Sequence, residues 1–198
     1  MLKIAATMAQ TRSEGPGLRF AIWAQGCSIG CPACCNPEML PACGGSDCPV
    51  PELLARILAA GVEGISLLGG EPFDQAAGFG LLAQRVREAG LGVMTFSGHT
   101  YAALRKEPRC RVLLANTDLL KAGPYVKARH SDRKRWMGSE NQRLHFLTDR
   151  YRGHPDVRED HTQSITIDMS GEHAILSGWP PFLGRPNGVR RGDRERGA

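Results

Sequence analysis

The sequence lacks several features that would place the chain in other structural classes. No apolar run approaches the ~20 residues that a membrane span needs, and the N-terminal residues turn polar too soon for a signal peptide. A chain of 198 residues is also short for a complete eight-fold βα barrel, which usually takes about 250. We therefore expect a soluble, cytoplasmic protein built from one domain, with or without an appendage.

Side-chain pairs for acid–base or nucleophilic catalysis are missing as well. The six histidines are scattered along the chain, and no Ser/His/Asp triad or acid–base dyad stands out. We assign no general base for this reason. His99, which follows the Ser97-Gly98 turn, is the only histidine whose substitution we would test.

Positive charge is concentrated in the last third of the chain. Residues 121–158 contain ten Lys or Arg against four Asp or Glu, whereas the whole chain carries +5. Neither an interleaved aromatic pattern nor a known nucleic-acid module accompanies this segment, so we expect neither nucleic acid nor a membrane as its partner. A solvated face, or a docking surface for an acidic protein, fits the pattern better.

Cysteine is the residue type that the chain has in excess. Of seven cysteines, five lie within seventeen residues, and Cys48 follows shortly after; the five are Cys27, Cys31, Cys34, Cys35 and Cys43. Cytosolic thiols stay reduced, so a cluster of this kind favours a metal or catalytic site over a disulfide framework. Cys110 stands alone and is expected to be a small buried apolar residue.

The spacing of these cysteines leaves three interpretations open. Cys27, Cys31 and Cys34 follow the pattern C-x3-C-x2-C, which suits a [4Fe-4S] cluster with one iron left free for substrate. Cys31 and Cys34 together with Cys43 and Cys48 are instead compatible with a structural zinc site. The third interpretation is that the thiols bind nothing.

Apolar periodicity predicts strands that alternate with helices. We predict strands over 18–24, 62–68 and 91–96, helices over 51–61, 79–90 and 101–106, a loop over 36–50, mixed helix and loop over 127–158, and a hairpin over 165–176; the stretch 111–120 is ambiguous. This alternation indicates a parallel sheet. The cysteine loop, Gly69-Gly70-Glu71-Pro72 and Ser97-Gly98 each follow a predicted strand, and therefore we expect them at one edge.

Taken together and in order, these segments resemble the radical S-adenosylmethionine (radical SAM) enzymes. The chain is most similar to the activases of glycyl-radical enzymes, above all those of anaerobic ribonucleotide reductase. The matching segments fall within residues 12–148 and are Glu14-Gly-Pro-Gly, Gln25-Gly-Cys-Ser-Ile-Gly-Cys-Pro-Ala-Cys-Cys-Asn-Pro, Ile65-Ser-Leu-Leu-Gly-Gly-Glu-Pro, Thr95-Phe-Ser-Gly-His, Asp118-Leu-Leu-Lys-Ala-Gly-Pro-Tyr and Trp136-Met-Gly-Ser-Glu-Asn-Gln-Arg.

The resemblance implies a fold, two cofactors and two kinds of partner. The fold would be an α/β partial, open βα barrel of the radical SAM type with a C-terminal β-hairpin extension. Cys27, Cys31 and Cys34 would ligate one [4Fe-4S] cluster, and S-adenosylmethionine would bind its free iron. The residues implied at the cofactor are Ala33, Cys35, Asn36, Gly69, Gly70, Glu71 and Ser97. The partners would be a large glycyl-radical enzyme as substrate and an electron donor such as flavodoxin or ferredoxin.

The chain also departs from this family. Cys35 stands where an aromatic residue is common, and Ala122 stands where a carboxylate is common. The core is expected over 1–148, an extension over 149–184 and a disordered basic tail over 185–198. Because the activases tend to end near the segment at 139–142, a different substrate, either another peptide or a small molecule, is the alternative. A zinc-stabilised binding module is the second alternative.

Overall fold

The computed structural model describes residues 1–157, 164–170 and 173–178, apart from the side chains of 168–170 and 173–176. A seven-stranded sheet with the order β3-β1-β2-β4-β5-β6-β7 forms its centre. Its strands are β1 (Leu2–Thr11), β2 (Arg19–Ala24), β3 (Ser46–Cys48), β4 (Gly64–Gly69), β5 (Gly92–Ser97), β6 (Leu119–Ala122) and β7 (Arg143–Phe146). The helices are α1 (Val50–Ala59), α2 (Ala76–Glu88), α3 (Tyr101–Lys106) and α4 (Arg111–Ala115).

The centre of the sheet is parallel and its edges are antiparallel. Strands β2, β4, β5 and β6 pair in parallel, whereas β1, β3 and β7 pair antiparallel to their neighbours. A helix lies between each consecutive pair of parallel strands, which is the connection that parallel strands need. The predicted α/β class is confirmed; the partial barrel of the radical SAM type stays a prediction.

One face of the sheet is covered by the helices. Phe20 and Ile22 of β2 pack in the same apolar cluster as Leu53 and Ile57 of α1 and Phe79 of α2, and all five are at most 2% exposed. The apolar positions of α1 recur four residues apart, so they form one stripe that faces the sheet. This core fixes the register of the parallel strands, and therefore the positions of the loops that follow them.

The opposite face, which we name the second face, is more polar and carries the residues that alternate with the core positions. Its residues from β2, β4, β5 and β6 are Arg19, Ala21, Trp23, Ser66, Leu68, Met94, Phe96, Leu119 and Lys121. Residues 12–17 cross it, since a Cβ built at Gly15 would approach Ser66 Oγ to 2.9 Å and Met94 Sδ to 3.0 Å. The Tyr151 hydroxyl accepts a hydrogen bond of 2.5 Å from Arg19.

The predicted hairpin is present as β8 (Ile165–Ser170) and β9 (His173–Gly178), which pair antiparallel. Hydroxyl groups join it to the end of β1: Thr11 Oγ1 lies 3.0 Å from Thr166 Oγ1 and 2.7 Å from Ser177 Oγ. The end of the expected extension, residues 179–184, and the expected tail 185–198 lie outside the described residues.

Several predictions of local structure need correction. Residues 36–50 include the strand β3, and the ambiguous stretch 111–120 divides into the helix α4 and the start of β6. Strands β1 and β7 were not predicted. β7 is an edge strand and β1 lies between β3 and β2; strand formation depends on such pairing as well as on local sequence, so local periodicity gives a weak signal for them. Within the described residues, no helix is long and apolar enough to cross a membrane.

Candidate functional site

Three loops meet at one edge of the sheet. The cysteine loop (residues 26–36) follows β2, Gly69-Gly70-Glu71 closes β4, and Ser97-Gly98 closes β5. Because β2, β4 and β5 are adjacent parallel strands, their carboxyl ends lie side by side. The predicted meeting of these loops is confirmed, and the edge is the usual position of a ligand site in an open α/β sheet.

The cysteine loop is anchored at its base and irregular at its tip. The N–H of Cys27 donates to the carbonyl of Leu40 at 3.0 Å, and the backbone N–H and hydroxyl of Ser28 donate to Asp74 at 2.7 and 2.8 Å. Ala33 at the tip has a φ of 60°, a left-handed conformation that costs an L-residue about 1–2 kcal/mol. Such strain is typical of functional loops.

The three predicted ligands lie on this loop as free, half-buried thiols: Cys27, Cys31 and Cys34. The N–H of Asn36 donates to Sγ of Cys34 at 3.4 Å, and the N–H groups of Gly30 and Ile29 donate to the sulfur of Cys27. A hydrogen bond from the neighbouring Cys35 thiol, more than any other contact, lowers the pKa of Cys34 to about 6. N–H groups directed at sulfur are a regular part of iron–sulfur sites, so the donor set fits a cluster.

A single-ion site does not form on these thiols. Four sulfurs around one zinc at 2.3 Å would lie about 3.8 Å from one another. In the described part of the chain, no three Cys, His, Asp or Glu side chains are arranged to hold one metal ion. A cubane cluster places each thiolate on a different iron, and it therefore needs a wider spacing than zinc does.

Cys48 is also separated from the cysteine loop, which bears on the zinc interpretation. It lies in β3 opposite Leu2, is 7% exposed within the main apolar cluster, and its sulfur contacts the Pro49 carbonyl at 3.7 Å. Cys43 is exposed on the loop before β3. Cys48 thus serves as a core residue, and the four-cysteine zinc site is not assembled. Cys110, as predicted, is buried in the same cluster.

The Gly69-Gly70 turn lies directly against the cysteine loop. The N–H of Gly70 donates to the Ala24 carbonyl and the N–H of Glu71 donates to the Gly26 carbonyl, both at 2.9 Å. A Cβ at Gly70 would lie 2.1 Å from the Gly26 oxygen, a distance that no side chain tolerates. Glycine is needed here because two backbones approach each other, as is common at ligand sites.

The carboxylate of Glu71 joins the second and third loops. It is fully buried and accepts hydrogen bonds from the N–H of Phe73 at 3.0 Å, the N–H of Gly98 at 2.9 Å and the Ser97 hydroxyl at 3.1 Å. Burial raises the pKa of Glu71 to about 7. Since protein donors occupy both oxygens, Glu71 and Ser97 are built to position the loops. The Ser97 hydroxyl in turn accepts from the N–H of His99 at 3.0 Å.

The remaining predicted cofactor residues lie on the cysteine loop, where Cys35 is exposed and Asn36 is half-buried. The structure brings them to the same edge as Gly69 and Gly70. Ala122, the position at which a carboxylate is common in the resembling enzymes, is buried in the helix-side core.

Two charged groups near the site were not predicted. Lys121 belongs to the second face, and its Nζ lies 5.9 Å from the centre of the Phe96 ring. Burial lowers the pKa of Lys121 to about 8. Glu14 is buried and accepts from the N–H of Gly178 at 2.6 Å, and burial raises its pKa. The alternation of β6 could have shown that Lys121 faces away from the helices, but only once its strand was identified.

Comparison with known proteins identifies one matching family and two similar proteins. A family model described as "4Fe-4S single cluster domain" matches residues 13–145. The anaerobic ribonucleoside-triphosphate reductase-activating protein of Vibrio cholerae is 28% identical over 145 residues, which are 68% of this chain and 92% of that protein. The crystal structure of QueE from Escherichia coli superposes with a TM-score of 0.45 and 22% identity over 64% of this chain. That match spans 60% of the QueE chain, less than two thirds of its length.

Proposed function

The chain belongs to the 4Fe-4S single cluster domain family, and we propose that it is a radical SAM enzyme that generates a glycyl radical on a partner protein. The observation that carries the proposal is the position of three free thiols, Cys27, Cys31 and Cys34, on one loop that contacts the Gly69-Gly70 turn. The cofactors are one [4Fe-4S] cluster and S-adenosylmethionine. When bound, they supply reductive cleavage of S-adenosylmethionine to methionine and a 5′-deoxyadenosyl radical, which takes hydrogen from the substrate.

The protein residues hold and orient these groups. Cys27, Cys31 and Cys34 would hold three irons, and the fourth iron would be left for S-adenosylmethionine. The backbones of Gly69 and Gly70 pack against β2 and the cysteine loop, and this turn would lie beside the amino acid part of that cofactor. Ala33, Cys35 and Asn36 of the cysteine loop would contact its adenosine. No side chain of this set has to exchange a proton in the reaction, which agrees with the missing acid–base dyad.

Glu71 and Ser97 complete the site as positioning residues. The buried Glu71 carboxylate holds the N–H of Gly98 and the Ser97 hydroxyl, so that the loops after β4 and β5 cannot move independently. Because these loops are held together, the site keeps the reacting groups at a constant distance from each other. Such positioning is the main contribution of a protein to cofactor chemistry.

The substrate class is supported by the relative from Vibrio cholerae, whose name describes it as a reductase-activating protein. We propose an anaerobic ribonucleotide reductase, or a similar glycyl-radical enzyme, as the protein substrate, and flavodoxin or ferredoxin as the electron donor. A second candidate is a radical SAM enzyme that acts on another peptide or on a small molecule. The hairpin from Ile165 to Gly178, joined to Thr11 by hydroxyl contacts, favours this candidate because it is additional surface beside the core.

Cysteine substitution under anaerobic conditions tests the proposal. We expect the reconstituted protein to bind about four irons per chain with the absorption of a [4Fe-4S] cluster, and to release 5′-deoxyadenosine only when a reductant is present. C27A, C31A and C34A should each lose both properties. C43A is the matched control, since Cys43 is exposed and outside the trio, and it should keep both.

Two outcomes would contradict the proposed radical mechanism. One zinc per chain after strictly anaerobic expression, or unchanged 5′-deoxyadenosine release in the variants of the trio, would refute the radical mechanism. The two substrate candidates are separated by electron paramagnetic resonance of the reductase from the same organism. A glycyl-radical signal that depends on this protein supports activation, and turnover of S-adenosylmethionine without that signal supports the second candidate.

A further inference from the structure

A cavity of about 660 Å³ lies along β7, the last strand of the seven-stranded sheet. Residues of α3 and α4 line one side of it, and Leu144, His145 and Phe146 of β7 line the other. The cavity extends to Thr117 and Thr148, which precede β6 and follow β7 at the end of the strands opposite the cysteine loop. Its volume is within the range of small-molecule sites, about 300–1,000 Å³.

The charged side chains that line this cavity are all positive. They are Arg105 of α3, Arg111 of α4 and Arg152 after β7, and among the described residues no aspartate or glutamate lines the cavity. Arg152 forms a salt bridge of 2.6 Å with Asp149. Within the described part of the chain, neither Arg105 nor Arg111 forms a salt bridge. An anion in the cavity would therefore meet two guanidinium groups that no carboxylate already neutralises.

Aromatic rings of the cavity hold two of these guanidinium groups. The guanidinium carbon of Arg105 lies 5.7 Å from the centre of the Tyr101 ring, and that of Arg152 lies 5.4 Å from the centre of the Phe146 ring. Tyr101 in turn packs against His145 of β7, with 4.7 Å between the ring centres. An arginine that is stacked on a ring has less conformational freedom to lose when it binds a ligand.

We propose that this cavity, which we name the arginine cavity, binds a small phosphate-bearing ligand whose oxygens accept hydrogen bonds from Arg105, Arg111 and Arg152. A phosphate monoester carries up to two charges and three acceptor oxygens, whereas a carboxylate carries one charge and two oxygens. Guanidinium groups bind phosphate through pairs of parallel N–H···O bonds, so three arginines match a phosphate better than a single carboxylate. Leu114 and Leu147, which also line the cavity, would contact the organic part of the ligand.

The test is isothermal titration calorimetry of the cluster-free, full-length protein with pyrophosphate, and with citrate as a carboxylate probe of similar total charge. The variants R105M, R111M and R152M each remove one guanidinium group of the arginine cavity. R109M is the matched control, because Arg109 is exposed and lies between Arg105 and Arg111 in the sequence but does not line the cavity. Nuclear magnetic resonance of the His145 ring, whose signals are identified by their loss in H145Q, reports whether the probe binds in the cavity.

We expect pyrophosphate to bind the unsubstituted protein with a Kd below about 1 mM and to shift the His145 signals. R105M, R111M and R152M should each weaken this binding at least about tenfold, and R109M should weaken it less than about twofold. Citrate should bind at least about tenfold more weakly than pyrophosphate. The proposal is overturned by equal losses in R109M and the three cavity variants, by His145 signals that do not move, or by citrate binding as tight as that of pyrophosphate. None of these outcomes depends on the cluster, so the proposed function is tested separately.

Discussion

Glu71 is an ionisable residue that solvent does not reach. Its carboxylate is 0% exposed and is surrounded by two backbone N–H groups and one hydroxyl. These donors stabilise the charged form, but burial outweighs them and raises the pKa of Glu71 to about 7. The residue that joins two loops of the site therefore changes its protonation state near neutral pH.

This pKa predicts how stability depends on pH. The folded state binds the Glu71 proton more tightly than the unfolded state, whose pKa is near 4.5. Stability is thus greatest at the acidic end and falls as the pH rises from about 4.5 to about 7, by about 3 kcal/mol at most. The measurement is urea unfolding of the cluster-free protein. The free energy of unfolding of the unsubstituted chain, minus that of E71Q, should decrease as the pH rises across this range.

Glu88 provides the control for that measurement. It lies on α2, and its hydrogen bonds from Arg85 and Gln84 lower its pKa, so above about pH 5.5 it is almost fully ionised in both states. The difference between the unsubstituted chain and E88Q should stay nearly constant from about pH 5.5 to 7.5. An E71Q difference that is equally constant would show that Glu71 is charged in the folded protein at all these pH values.

Single residues also show how far the sequence predicts the site. Spacing left three interpretations of the cysteines open, and the resemblance to the radical SAM enzymes implied the cysteine trio and the Gly69-Gly70 turn as site residues. Lys121 and Glu14 were not implied in this way, since a lysine or glutamate acquires a role only from its burial and its distant neighbours. The resemblance implied that Glu71 lies at the cofactor. Both of its carboxylate oxygens, however, already accept hydrogen bonds from the protein, which favours a positioning role.

At the scale of elements, the contact between the Gly69-Gly70 turn and the cysteine loop determines the geometry of the site. Replacing Gly70 by Ala would place a Cβ 2.1 Å from the Gly26 carbonyl oxygen, and that oxygen accepts the N–H of Glu71. We expect G70A to lose about 1–3 kcal/mol of stability. The KM for S-adenosylmethionine should rise at least about tenfold, because the two loops must separate.

Substitution of Gly90 is a control that distinguishes the effect of steric crowding from that of backbone strain. Gly90 ends α2 with a φ of +82°, and no atom lies within 4 Å of the position that an added Cβ would occupy. G90A should therefore cost about 1–2 kcal/mol through conformation alone, with an unchanged KM for S-adenosylmethionine. The same small KM change in G70A and G90A would contradict a direct role of the Gly70 backbone in cofactor binding.

The elements that the sequence predicted are those with strong local signals. The helices α1, α2 and α3 and the strands β2, β4 and β5 follow from apolar periodicity and from glycines at their ends. In contrast, β1, β3 and β7 exist because of their partners: β3 contributes three residues that pair with the start of β1. Pairing over such distances depends on the completed sheet, which no local window of sequence contains.

At the scale of the whole molecule, the hairpin and the core are joined by a small polar interface. Thr11 and Ser13 share hydroxyl hydrogen bonds with Thr166 and Ser177, and the Glu14 carboxylate accepts the N–H of Gly178. The segment that the sequence identified as Glu14-Gly15-Pro16-Gly17 therefore links the hairpin to the second face. A motif that the sequence analysis used only for the family resemblance is, in the folded chain, the meeting point of β1, the hairpin and the second face.

The uneven charge of the chain predicts how it would associate with the proposed protein substrate. Residues 121–158 carry a local excess of positive charge, and Lys127 and Arg129 are exposed within it. Attraction between exposed charges is screened by salt, and it acts mainly on the rate of association. If this segment docks an acidic surface of the partner, affinity should fall at least about tenfold between roughly 50 and 300 mM NaCl.

The double variant K127E/R129E should weaken binding to the anaerobic ribonucleotide reductase of the same organism about tenfold at low salt, measured by surface plasmon resonance, chiefly through a slower association rate. The matched control is K106E/R109E, which reverses two exposed charges near the end of α3, outside the basic segment. It should change the affinity by less than about twofold, since charges further than a Debye length from the contact are screened. Equal effects of the two double variants, or an affinity that does not depend on salt, would mean that the basic segment is a solvated face and that the partner is recognised elsewhere on the molecule.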